Sequence, residues 1–271
     1  MLVEPLGFLY GSAGRFLSPE NLVGLSGSSF PPSAATVSGI FAAHYGNDAI
    51  QNLYLAGPFW GKTEEVKSEK QNFFVPTPLT YLVKNGELRH RLSWDKTKAG
   101  WFDEKGKAPT DKFDKGTWIA IANWQKPTKV EKSPWKPSPH LHPKLEQYER
   151  RVLRQENDND EEKEGSLFLE NAVQLGMKKN NKLQDICLVY LSTHKLESGW
   201  YRFGGEGHLV DITSVEINQE NAQLLRQNIE KQFALITPAV WGSNRLSYRH
   251  PIQLQKGNSE NYKQEDSESQ D

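Results

Sequence analysis

Trp200-Tyr201-Arg202-Phe203-Gly204-Gly205-Glu206-Gly207-His208-Leu209-Val210-Asp211-Ile212-Thr213 is the most informative stretch of this chain. Apolar and aromatic residues flank a glycine cluster. That pattern predicts a tight glycine turn followed by a strand over 208–217. Glycine lacks Cβ, so the backbone of such a turn can approach another chain and direct successive amides at anionic oxygens. Arg202 and His208 place cations beside it, while Trp200 and Tyr201 offer ring faces on which bases can stack. An ordinary strand connection has the same local signature. Both readings stand open on these residues alone.

On the C-terminal side, Asn218 is positioned to cap a helix reaching about Gln232, with Leu224, Leu225 and Ile229 turned inward. A short strand over 233–236 follows, ending at Thr237-Pro238. Beyond about Gln255 the chain is nearly devoid of apolar residues, which predicts disorder. On the N-terminal side, 166–175 and 183–192 are expected strands. Nearer the start, a strand over 6–10 precedes a Gly/Ser-rich loop. Ser33 is expected to cap a helix over 34–45 through its hydroxyl. Val37, Ile40, Phe41 and His44 share one face of that helix at helical spacing. Residues 52–59 predict a strand ended by Gly57-Pro58. Residues 79–83 and 88–92 flank Asn85-Gly86, a dipeptide that accepts the positive φ angles of a hairpin turn. A loop over 96–115, a short strand over 118–124, a Pro-rich basic loop over 126–145 and an acidic loop over 155–164 complete the pass.

These elements predict an α+β chain built from two ferredoxin-like (RRM-like) βαββαβ units with long inserted loops. The first unit covers 1–125 and the second 165–255. Basic then acidic connecting loops fill 126–164, and an acidic tail covers 256–271.

Composition narrows the function. Of 271 residues, 36% are hydrophobic, and the mean hydropathy of -0.70 predicts a soluble chain. No apolar run is long enough to cross a bilayer. Met1-Leu2-Val3-Glu4-Pro5 lacks the features of a signal peptide, so a cytoplasmic location is expected. The single cysteine, Cys187, lies in an apolar run and fits a buried core position. The net charge of -1 does not announce a polyanion binder, yet the charges are segregated. Lys126, Lys129, Lys132, Lys136, Lys144, Arg150, Arg151 and Arg154 fall in one segment with Trp135, Tyr148, His140 and His142. Phosphate attraction combined with aromatic stacking suits single-stranded RNA, with Arg150 and Arg151 among the contacts. Docking on an acidic protein is the alternative.

Catalysis finds little support. His140-Leu141-His142 supplies two metal ligands without a second pair, so no metal or cofactor is expected. His44 could serve as a general acid or base, although a histidine completing an apolar helix face is ordinarily a core or rim residue. No nucleophile elbow or Walker loop is present.

Phe30-Pro31-Pro32 before Thr36-Val37-Ser38-Gly39 begins a series of marks. It continues with Gly57-Pro58-Phe59, Pro76-Thr77-Pro78, Pro139-His140-Leu141-His142-Pro143, and Arg150-Arg151-Val152 leading to Gly165-Ser166-Leu167-Phe168. The Arg202 to His208 turn and Leu235-Ile236-Thr237-Pro238-Ala239 complete it. In this order and spacing, the chain resembles the third subunit of the Cmr complex, the type III-B CRISPR effector. That subunit is a RAMP protein of the Cas-five-like group, and the similarity runs from about Glu4 to Pro251. The resemblance implies two RAMP ferredoxin-like folds and no nuclease centre. It implies a non-catalytic subunit holding the five-prime repeat-derived handle of the CRISPR RNA. Its partners would be the Cas-ten large subunit and the adjacent RAMP backbone subunit, with no small-molecule substrate and no membrane. Gly204, Gly205 and Gly207 carry over as the RNA-lining turn, with Arg202, His208 and Tyr201 beside it. Arg15 and Thr36 carry over as phosphate contacts. One departure concerns the end of the chain. The family continues past this point with another strand, whereas here Tyr248-Arg249-His250-Pro251 leads into a polar tail. The second unit is therefore expected to lack its last strand or to receive it from another chain. Two other readings remain: a metal-independent RNA-processing nuclease using His44, and a purely protein–protein adaptor.

Overall fold

The computed structural model describes residues 1–9, 30–143, 167–179, 182–204, 207–228 and 234–237. The described part is mostly β, with few helices, and is organised around one large antiparallel sheet of eight strands. Its strands are β1 (Leu2–Pro5), β2 (Leu55–Lys62), β3 (Phe74–Pro76), β8 (Thr117–Ala120), β9 (Glu131–Lys132), β14 (Ile186–Ser192), β15 (Gly199–Phe203) and β16 (His208–Thr213). Their spatial order is β15-β16-β1-β14-β2-β3-β8-β9. Among the described residues three α-helices accompany it: α1 (Ala34–Tyr45), α2 (Thr63–Lys67) and α3 (Gln219–Leu225).

Both faces of the central strands are covered, because successive side chains point to opposite faces and each face meets its own apolar layer. On one face Val3, Leu188, Tyr190, Val210 and Ile212 pack with Val37, Ile40 and Phe41 of α1. On the other, Leu2, Phe59, Cys187 and Val189 pack with Val66, Phe73 and Ile121. Trp60, Phe74 and Trp118 extend the core under β2, β3 and β8. The Trp60 and Phe74 rings stack with centroids 4.1 Å apart and 9° between planes. Each large side chain fully buried here contributes roughly 1.5–3 kcal/mol of transfer free energy.

Several expectations meet a different arrangement. The partition at 125 and 165 does not divide the sheet. β14 pairs with both β1 and β2, and β16 pairs with β1. Strands from opposite ends of the sequence are thus interleaved, a long-range pairing that local pattern cannot reveal. The first strand is Leu2–Pro5 instead of 6–10, because a strand buried on both faces shows no alternation. Leu6 is instead 52% exposed. The strand expected to stop at Gly57-Pro58 runs through it to Lys62. Gly57 has φ 137°, and a Cβ there would meet the Tyr190 ring at 2.8 Å.

The basic segment is the largest local difference. Trp135–Pro143 forms strand β10, paired with β11 (Leu167–Leu175) in a separate two-stranded sheet. Its prolines made it look like a loop. Pro137, Pro139 and Pro143 share one parity, however, and Pro137 lies opposite Val173. The Val173 amide and carbonyl turn the other way, exchanging hydrogen bonds with Leu9 at 2.7 and 3.0 Å. The prolines therefore sit at sites that need no N–H.

The hairpin over Asn85-Gly86 is as expected, joining β4 (Tyr81–Lys84) to β5 (Glu87–Arg91) with φ 55° and 75° at the turn. The expected loop over 96–115 holds a strand, β7 (Gly100–Phe102), which pairs with β6 (Ser93–Asp95) just before it in a second ribbon. A third small ribbon pairs β12 (Met177–Lys179) with β13 (Lys182–Gln184). Ser33 occupies the position before α1 without a side-chain cap. Only its carbonyl takes part, accepting from the Thr36 amide at 3.0 Å. Asn218 caps α3 as expected, its Oδ1 accepting from the Asn221 amide at 2.8 Å. That helix stops at Leu225, where Arg226 closes it. Leu224 packs inward, whereas Leu225 is 40% exposed. Strand β16 ends at Thr213, and residues 234–236 form no strand. Ile229, Phe233 and the tail lie outside the described residues.

Candidate nucleic-acid interface

β15 is an end strand of the large sheet, paired on one side with β16 and with no described strand beyond it. The register sets Trp200 opposite Asp211, Tyr201 opposite Val210, Arg202 opposite Leu209 and Phe203 opposite His208. Gly204–Gly207 closes this hairpin. Gly204 and Gly207 have φ 73° and 66°, and the Gly207 amide donates to the Gly204 carbonyl at 3.2 Å. Glycine adopts such angles at no steric cost, so the local backbone favours it at both positions. The Arg202 side chain lies against Gly207, where an added Cβ would come 3.7 Å from Arg202 Cδ and one guanidinium nitrogen. Arg202 and Gly204 are exposed, and Gly207 is partly so.

The strand period separates neighbours that the sequence places together. Tyr201, Phe203 and Val210 turn toward α1. Trp200, Arg202, Leu209 and Asp211 turn to the opposite face. Trp200 is 73% exposed and Leu209 is 51% exposed. Leu6 continues β1 beside them, its amide donating to the Leu209 carbonyl at 3.1 Å. The open face thus offers an indole and two aliphatic side chains, with Arg202 and the glycine turn at one end. Asp211 and Glu4 lie opposite each other on that face. Glu4 is held by Lys67 at 2.8 Å and by the Thr63 hydroxyl at 3.2 Å. Carboxylates in the strands repel phosphate, so anionic groups fit at the turn and uncharged rings fit along the strands.

Tyr201 takes no part in that surface. Its hydroxyl donates to the Glu197 carbonyl at 2.8 Å. Burial, reinforced by Tyr45 and Glu197, raises its pKa. Its ring meets His44 edge-on at 5.6 Å, and His44 meets Tyr45 at 4.5 Å. His44 is therefore an exposed rim residue at the end of α1, with tyrosines around it. His208 is half-buried beyond the turn on the α1 side. Thr36 is partly buried in the first turn of α1. Arg15, Arg150, Arg151 and Gly205 lie outside the described residues.

Trp135, read from sequence as a stacking residue, belongs to the interior. Its ring packs edge-on between Phe30 at 5.2 Å and Trp118 at 5.5 Å. Lys126, Lys129, Lys132 and Lys136 are exposed. His140 lies on β10 with its ring 5.8 Å from Phe8, and among the described residues no cluster of three His, Cys, Asp or Glu could hold a metal. Cys187 is buried, its thiol pushed up to about 12 chiefly by desolvation, which rules it out as a ready nucleophile. No described helix is long and apolar enough to cross a membrane.

Sequence reasoning missed two surface features. One is Leu6, which joins the open face only because β1 lies next to β16. The other is a pair of exposed indoles, Trp94 and Trp101, on the β6–β7 ribbon. Their alternation was hidden in a segment rich in lysine and glycine. Comparison with protein-family models, with curated proteins and with solved structures gives no match to this chain.

Proposed function

We propose that this chain is a non-catalytic CRISPR RNA-binding subunit that holds the five-prime repeat-derived handle. In this reading it bridges a Cas-ten large subunit to the adjacent RAMP backbone subunit of a type III-B effector. The carrying observation is the glycine turn at the open end of the large sheet. Gly204 and Gly207 both adopt positive φ, the Arg202 guanidinium lies against Gly207, and Trp200 stands 73% exposed on the same face. Phosphate at the turn and a base on the indole is the chemistry this combination fits.

The ferredoxin-like reading is supported by the four strands β16-β1-β14-β2. β1 and β2 each run antiparallel to β14, so they are parallel to each other with β14 between them, and α1 crosses from one to the other. That is a split βαβ arrangement. It departs from a complete βαββαβ unit between β14 and β16, where β15 stands in place of a second helix.

The test is equilibrium binding of handle-bearing CRISPR RNA to the assembled complex, with a scrambled handle as comparison. The reading expects a clear preference for the true handle and loss of that preference in Arg202→Ala combined with Gly204→Val. Equal affinity for both RNAs would overturn it.

A further inference from the structure

The β6–β7 ribbon carries two tryptophans directly opposite each other. Trp94 and Trp101 are register partners, with ring centroids 5.4 Å apart at 69° between planes. They are 46% and 47% exposed. Their edge contact supports the strand pair, yet nearly half of each indole still faces water. Each strand has three residues, too little to bury either indole beneath its own backbone.

The surrounding charge identifies what the indoles face. Lys96, Lys98, Lys105 and Lys107 are exposed within the ribbon segment and just after it, and Arg89 and Arg91 are exposed on β5 before it, Arg89 paired with the exposed Glu87 at 2.9 Å. Besides Glu87, the acids in the same span are Asp95, Asp103 and Glu104. Asp103 is buried, its carboxylate taken up by the Lys105 and Lys107 amides at 3.0 and 2.8 Å and by His90 at 3.1 Å. Asp95 lies 4.0 Å from the Lys98 ammonium, which also covers the Phe102 ring at 4.9 Å. Cations therefore outnumber the acids that reach solvent. A surface that joins exposed indoles to a cationic surround favours a flexible polyanion with free ring faces.

We infer that Trp94 and Trp101 form a second nucleic-acid surface, binding unpaired bases of a single strand by stacking while Lys96 and the neighbouring cations hold its phosphates. Binding at this surface is tolerant of sequence, since every base has a ring face on which an indole can stack. It is distinct from the glycine turn and does not depend on recognition of a handle.

The probe is a fluorescently labelled single-stranded oligouridylate without any handle sequence, titrated against the full chain by anisotropy. A duplex RNA of the same length serves as the second arm. Trp94→Ala with Trp101→Ala is expected to weaken oligouridylate binding about tenfold and to leave duplex binding nearly unchanged. Trp94→Phe with Trp101→Phe keeps two ring faces and is expected to retain most of the affinity, which separates stacking from damage to the ribbon. Wild-type affinity in the double alanine variant would overturn the inference, as would equal losses on single strand and duplex. A surface built for an acidic protein would give the first of those results. If the handle preference fails but the oligouridylate loss is found, the turn reading falls and this one stands.

Discussion

The centre of the large sheet and its β15–β16 end are made of the same kind of strand and serve opposite purposes. At the centre, Leu2, Val3, Leu188 and Trp60 are fully buried on faces covered from both sides. At the end, only the α1 face is covered, by Phe203, Val210 and Ile212, while Trp200 and Leu209 remain in water. Burial on two faces makes a strand indispensable to folding. Burial on one leaves half its side chains available for contact. The difference places stability in the middle of the sheet, and the proposed RNA contacts fall on its rim.

Truncating the middle breaks that division most directly. Trp60→Ala removes the ring stacked on Phe74 and edge-on to Trp118 at 6.4 Å. Its indole N–H is buried without a hydrogen-bond partner, so what is lost is packing alone. The expected cost is about 3–5 kcal/mol of unfolding free energy by chemical denaturation. At the rim the balance reverses. Arg202→Ala is expected to alter stability by less than about 0.5 kcal/mol. It should weaken RNA binding about tenfold and lower the slope of log affinity against log salt by about one. A stability loss at Arg202 comparable with that at Trp60 would dissolve the comparison.

What the sequence made legible follows the same line. Local chemistry was readable: the Asn85-Gly86 turn, α1, the Asn218 cap, buried Cys187 and the strand after the glycine turn. Each depends on residues within one turn or one strand pair. Pairing at a distance was not. β1 joins strands more than 180 residues away, as Leu2 opposite Val189 illustrates, and no periodicity encodes such a partner. The candidate site was half legible for the same reason. Trp200-Tyr201-Arg202 looks like one surface as a string of letters. The two-residue strand period divides it, leaving Trp200 and Arg202 outside and Tyr201 against His44. Proline misled in the other direction, since Pro137 and Pro139 are compatible with a strand whose amides bond on one side only.

A smaller effect probes the other covered face, where α3 is tied to the loop after α2. Asn218 caps the helix, its Oδ1 accepting from the Asn221 amide, and it also ties the helix to Glu69 and Gln71. Its amide donates to Gln71 Oε1 at 2.7 Å and its Nδ2 to the Glu69 carbonyl at 2.8 Å. Asn221 Nδ2 donates to the Gln71 carbonyl at 3.1 Å. Asn218→Ala is expected to cost about 1–2 kcal/mol, measured by thermal or urea unfolding. Asn218→Asp keeps the capping acceptor and should recover much of that loss. Neither change should affect RNA affinity per folded molecule.

The smallest expected effect concerns the ribbon that carries Trp94 and Trp101. Asp103 follows β7 and is anchored by the Lys107 and Lys105 amides and by His90. Hydrogen bonding from the Lys107 amide, the largest cause, holds its carboxyl below the ordinary carboxylate pKa, with Lys105 and His90 adding to the shift against burial. Because the folded-state pKa lies below that of the unfolded chain, the stabilisation is complete above the unfolded carboxylate range. It is lost as pH falls through the folded value. Only acid below the ordinary carboxylate range should therefore loosen the loop at 103–107. The amide resonances of Lys105 and Lys107 should titrate together with the Asp103 carboxyl. Asp103→Asn should remove that shared titration while leaving the acid transition of the central strands in place. Loss of the sheet and the ribbon at one common pH in both proteins would show that the rim is not independent of the centre.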